Sequence, residues 1–100
     1  GMSETQSASQ TPSEPLRVPT ALAILIDQLA TLAWAKLGLQ PDPLTGKIEP
    51  DLADAKLAID CAGDLIARLA PILDADDRRQ VENLLRDLRV NYVSRAGNAE

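Results

Sequence analysis

Carboxylates at helical spacing are the residues of this chain best placed for chemistry. Asp60 and Asp64 stand four residues apart. On a helix they share one face, where two carboxylates can hold a divalent cation, bind a small ligand or move protons. Lys56 and Arg68 flank them at the same spacing. Charges alternating four apart are also how solvated helix faces are stabilised. That reading is the stronger one, with Asp60 and Asp64 as the ligand candidates if a site exists. Asp74, Asp76 and Asp77 resemble the opening of a calcium loop, which needs oxygen ligands at its first, third and fifth places, Gly at the sixth and Glu at the twelfth. Counting from Asp74, the later places hold Arg78, Arg79 and Leu85, so the match fails and helix capping accounts for these acids.

Other reactive types are sparse. Cys61 is the single cysteine and there is no histidine. No base or helix start lies near Cys61 to activate a thiol, so it reads as a small packed or interfacial residue beside Leu57 and Leu65. Arg78, Arg79, Arg86 and Arg89 could suggest nucleic acid. They are interleaved with Asp76, Asp77, Glu82 and Asp87, and the net charge of −5 opposes phosphate binding. No Gly-rich phosphate loop, nucleophile elbow or metal-spaced Cys/His set is present. The expectation is a non-enzymatic chain with no catalytic residues, no cofactor, no metal centre and no nucleic-acid partner.

The elements that carry these residues are helical. Hydrophobic residues make up 45% of the chain and aromatics only 2%, with Trp34 and Tyr92 alone. The core must therefore be Leu, Ile, Val and Ala, a composition that favours helix. A first helix follows Val18-Pro19, with Thr20 at its cap or first turn, and Gly38 stops it. Its stripe is Leu22, Leu25, Ile26, Leu29, Leu32, Ala33 and Leu37, and Ile24 and Ala35 are surplus apolar residues outside that stripe. Residues 39–50 form a rigid connector with a turn at Leu44–Lys47, pinned by Leu39, Leu44 and Ile48. A second helix starts at Pro50 and buries Leu52, Ala55, Ile59, Ala62, Ile66 and Leu69. Pro71 ends or kinks it near Ala70, with Ile72 and Leu73 continuing the apolar surface. A third helix is capped by Asp74 and buries Val81, Leu84, Leu85, Leu88 and Tyr92, with Val90 and Val93 off its stripe.

Three domain regions follow: residues 1–18 as a disordered arm of Ser, Thr, Gln, Glu and Pro, 19–95 as the helical domain, and 96–100 as a frayed end. Gly1 before Met2 reads as left over from tag cleavage, and no signal peptide is expected. The apolar stretch of the first helix falls short of the roughly 20 residues a bilayer needs and is interrupted by Asp27 and Gln28. Cytoplasmic location, without membrane attachment, is the expectation. The fold class is all-α, a small three-helix bundle completed by homodimerisation, because the first helix has almost no polar side. Leu22, Ile26, Leu29, Ala33 and Trp34 are its interface candidates. A hetero-partner bound through the first helix or the arm is the alternative among interactions, and a small-ligand or metal site on the second-helix carboxylates is the alternative class.

Several fragments carry a resemblance. They are Leu29, Ala30, Ala33, Leu37 and Gly38; Pro41-Asp42-Pro43 and Gly46; Asp51-Leu52, Ala55-Lys56 and Ile59-Asp60; and Leu84, Leu88-Arg89 and Tyr92-Val93. Over about residues 22–93 the chain resembles an uncharacterised bacterial family, domain of unknown function 1844. It departs from that pattern between the second and third helices. There the family has a Lys-rich turn containing Gly-Asn, and this chain has Arg68-Leu-Ala-Pro-Ile-Leu73. The resemblance implies a small helical cytoplasmic protein without a mechanism. It brings forward Asp60, Arg89 and Tyr92, and the last two join the interface candidates.

Overall fold

A computed structural model describes residues 14–99, so most of the arm, residues 1–13, and Glu100 lie outside the described residues. Three helices follow in order: α1 (Val18–Lys36), α2 (Leu52–Leu69) and α3 (Ala75–Ala99), with a single 3₁₀ turn at Ala70–Ile72. The all-α bundle expected from the sequence is what forms.

α1 begins at Val18, with Pro19 in its first turn, where a missing amide donor costs nothing. Arg17 occupies the cap position without a side-chain cap. Thr20, expected at the cap or in the first turn, lies in the first turn. The C-terminal end closes in a Schellman arrangement. The Gly38 amide donates to the Ala35 carbonyl and the Leu39 amide to the Trp34 carbonyl. Gly38 has φ +84. A Cβ there would also lie 3.1 Å from the Pro50 Cβ, so both the backbone angle and the close approach require glycine.

The connector is held by polar groups. Asp42 accepts hydrogen bonds from the amides of Leu44 at 2.8 Å and Thr45 at 3.1 Å. Its second oxygen lies 3.6 Å from Lys36 Nζ. These amides, and then Lys36, hold the Asp42 carboxyl below its ordinary range. The Asp51 amide donates to the Lys36 carbonyl, closing the connector at its base. The apolar pins expected from the sequence are not used: Leu39 and Ile48 are exposed, and Leu44 is 94% exposed. In a connector this short the backbone's own hydrogen bonds settle its shape.

α2 is capped by Asp51, whose side chain accepts from the Asp54 amide. The helix thus starts two residues past the expected Pro50, which instead packs under Gly38. Its buried line is Ala55, Ala58, Ile59, Ala62, Ile66 and Leu69, close to the expected stripe. Pro71 ends the α-helix as expected, and Ile72 is exposed. Asp74 caps α3 through the Asp77 amide at 2.8 Å. α3 continues through Ala99, whereas fraying was expected from residue 96.

The core forms where α1 and α2 pack antiparallel. Ala30, Ala33 and Leu37 meet Ala55, Ala58 and Ile59 around Leu88 of α3, and Ile26 meets Ile66, Leu69 and Ala70. Two expectations for α1 are corrected. Leu25 and Leu32 are exposed, and Ala35 is buried. Helices that meet along alanine approach closely, and the bulkier leucines are left on the flank. By length and composition α1 is also long and apolar enough to cross a membrane, which corrects the expectation that it is too short.

Gly38→Ala is expected to destabilise the fold by about 1–2 kcal/mol, the cost of a left-handed non-glycine residue, measured by urea unfolding; an unchanged midpoint would mean that the reversal at Gly38 tolerates other geometries. Asp42 should titrate below pH 3.8 in an NMR pH series. Because its folded value is depressed, its contribution is present above the unfolded value and is lost as pH falls through the folded one. A midpoint at or above 3.8 would show that the amide bonds to Asp42 do not persist.

Candidate functional site

Docking of α3 against α2 brings together residues that lie far apart in sequence. Lys56, Ile59 and Asp60 of α2 and Arg89, Tyr92 and Val93 of α3 line one cleft of about 230 Å³. Ile59 is buried and forms the floor, Tyr92 is half-buried, and the charged groups stand at the rim. Asp60, Arg89 and Tyr92, singled out through the sequence fragments, therefore share a site.

Its electrostatics are simple. Lys56 Nζ donates to Asp60 Oδ2 at 2.8 Å. That hydrogen bond, with the attraction of the Asp60 charge, raises the Lys56 pKa above 10.5. Both side chains are solvated, so the pair adds little to stability. Arg89 has no ion-pair partner within 4.0 Å among the described residues. Its guanidinium lies over Gly63, with Nη2 3.1 Å from where a Cβ would stand. A second, more open groove of about 510 Å³ continues past Arg89 along Gly63, Ile66, Ala67, Ala70, Leu85 and Val90, with Glu82 and Arg86 at its edge. The cleft thus presents one unpaired cation and a phenol beside an apolar floor, which suits binding. Its only carboxylate is already engaged by a lysine.

Asp64 is exposed and lines neither cleft. Of the expected ladder on α2, only the Lys56–Asp60 rung forms among the described residues. No group of three or more His, Cys, Asp or Glu side chains lies together among the described residues.

The interface candidates divide. Ile26 and Ala33 are buried inside the chain's own core by α2, so they are not available at the surface of this fold. Leu22, Leu29, Trp34 and Tyr92 are half-buried, and Arg89 is exposed. The exposed large residues of α1 past its first turn are Ile24, Leu25 and Leu32. Cys61, expected to be a small packed or interfacial residue, is exposed and not packed within the chain. The sequence reading missed Gly63, and it had Val93 as surplus apolar surface and part of a fragment, not as the lining of a cleft. Gly63 carried a signal: glycine inside a helix costs about 0.5–1 kcal/mol relative to alanine, and a close approach is one reason to accept that.

A family model described as Domain of unknown function (DUF1844) matches residues 19–94. No curated protein and no solved structure gives a match.

Gly63→Ala tests the crease between α2 and α3. The tight contact is with the far end of the Arg89 side chain, which can move, and the Leu85 methyls would be at ordinary distances of 3.6 and 3.7 Å. The expected result is stabilisation by about 0.5–1 kcal/mol from helix propensity, read from urea unfolding. A loss of more than about 1 kcal/mol would mean that Arg89 is fixed in place rather than free to yield.

Proposed function

The chain belongs to the family of domain of unknown function 1844, whose description carries no activity, and from its surface we propose that it is a non-enzymatic, self-associating interaction module of the cytoplasm, acting as a homodimer. One observation carries the reading. Among the described residues the large buried apolar side chains are Ile26, Leu37, Ile59, Ile66, Leu69 and Leu88, while twelve large apolar residues are exposed. A core of six such residues filled in by alanines is small, and small folds commonly gain stability from oligomerisation. Contiguous exposed apolar surface on a soluble protein commonly marks an interaction site. The radius of gyration, 16.8 Å, exceeds the about 13 Å of a compact chain of this length, in keeping with a fold whose helices are not closed around one centre.

The second reading is a small-ligand protein, and the convergence of Lys56, Asp60, Arg89 and Tyr92 on one cleft favours it. The ligand would be an anion with an apolar body, since Arg89 is the unpaired charge. A divalent metal at Asp60 and Asp64 has less support, because Asp60 is engaged by Lys56 and Asp64 does not line the cleft.

Sedimentation equilibrium over a wide concentration range separates these. Self-association predicts a mass approaching twice 10.7 kDa and a melting temperature that rises with protein concentration. A folded monomer at every concentration would overturn the self-association reading.

A further inference from the structure

The Lys36–Asp54 ion pair sets the register of α1 against α2, with Nζ 3.7 Å from Oδ2. Counting from it by helical turns identifies one face of both helices. On α1, Leu32, Leu29 and Leu25 lie four, seven and eleven residues before Lys36; on α2, Leu57, Cys61 and Leu65 lie three, seven and eleven after Asp54. Leu25, Leu32, Leu57 and Cys61 are exposed, and Leu29 and Leu65 half-buried.

This face points away from α3. α3 covers Ile59 and Gly63, each two residues from Cys61, and two residues turn a helix by about 200°. Leu32 stands in the same relation to Ala30 and Trp34, which pack in the cluster around Leu88. With its smallest extent only 18 Å, the fold is about two helical layers deep, with α3 on one side of the hairpin.

We propose that this α1–α2 face docks against the same face of a second copy, completing a four-helix core with Cys61 near its middle. The proposal rests on the self-association reading and names its surface. Several observations favour a second copy as the occupant. The face is largely apolar, and its charges balance from end to end: Lys36 is shared by Asp42 and Asp54 at one end and Arg68 stands fourteen residues past Asp54 at the other, so two copies packed end for end set opposite charges together. Residues 1–13 contain only Met2, Ala8 and Pro12 as apolar side chains larger than glycine, a poor lining for such a surface. The area also suffices. Helices of 18 and 19 residues give a face about 28 Å long and about 18 Å wide, about 500 Å² in projection. Side-chain relief brings that toward the about 800 Å² each partner buries in a stable complex. Two helical hairpins packed face to face make a known bundle architecture.

The test uses the full chain and its only thiol. Alkylation of Cys61 by iodoacetamide is measured by mass spectrometry at protein concentrations where sedimentation shows dimer and where it shows monomer. The expected result is modification at least about tenfold slower in the dimer, a drop in thiol accessibility of the kind that 1.4 kcal/mol of protection gives. Leu57→Asp, at a side chain 62% exposed and so dispensable to the fold, should give a folded monomer with fast alkylation. Val93→Asp, at a side chain 68% exposed beside the α2–α3 cleft, should leave the dimer intact. A dimer whose Cys61 reacts as fast as the monomer's, or one that Val93→Asp breaks and Leu57→Asp does not, overturns this surface and leaves self-association standing. A monomer throughout overturns both. Should Leu57→Asp lose its helical circular dichroism, the concentration dependence of wild-type alkylation decides alone.

Discussion

Alanine sets the distance between α1 and α2, and the rest of the fold follows from that distance. Ala30 and Ala33 face Ala55 and Ala58, so the two backbones approach toward the short end of the usual range for packed helices. A seam of small side chains buries little area per residue. Ile26, Leu37, Ile59, Ile66 and Leu69 are buried with it, and the larger residues that flank the seam must be covered from above or below. α3 covers one side, bringing Leu84, Leu85, Leu88 and Tyr92 over the seam. The other side keeps Leu25, Leu32 and Leu57 in solvent.

The same geometry creates the cleft. α3 rides mainly on α2, and the crease between them has Ile59 as its floor and Gly63 beneath the Arg89 side chain. Arg89 crosses the crease at that point. The guanidinium belongs to both grooves, so whatever occupies either one meets the same cation. The apolar face and the charged cleft lie on opposite sides of the hairpin, and occupation of one leaves the other accessible.

Local chemistry made much of this fold legible in the sequence. Asp74 as a cap, Gly38 and Pro71 as stops, and the stripe of α2 each depend on residues within one or two turns, and each is present. α1 is where the reading went astray. Periodicity locates a buried face by contrast with a polar one, and α1 has too few polar residues to fix the phase. The stripe read from the sequence therefore includes Leu25 and Leu32, which are exposed, and the interface candidates include Ile26 and Ala33, members of the same stripe, which are buried. Asp42 was also undervalued. An Asp-Pro pair near a glycine announces a turn, but the lysine that would reach it from the preceding helix is a tertiary fact. The cleft is of the same kind: Asp60 and Arg89 stand on different helices, and only the sequence fragments containing both hinted that they belong together.

The connector behaves as a clasp fastened at its base. The Asp51 amide to the Lys36 carbonyl, and Gly38 against Pro50, hold the two strands of chain together where they leave the helices. The far tip at Leu44 touches almost nothing. Length and composition at that tip are thereby uncoupled from the register of α1 on α2. An added segment there would extend the loop while the ion pair between Lys36 and Asp54, and every contact beyond it, stayed in place. At the tip a new peptide could be carried without asking the helices to move.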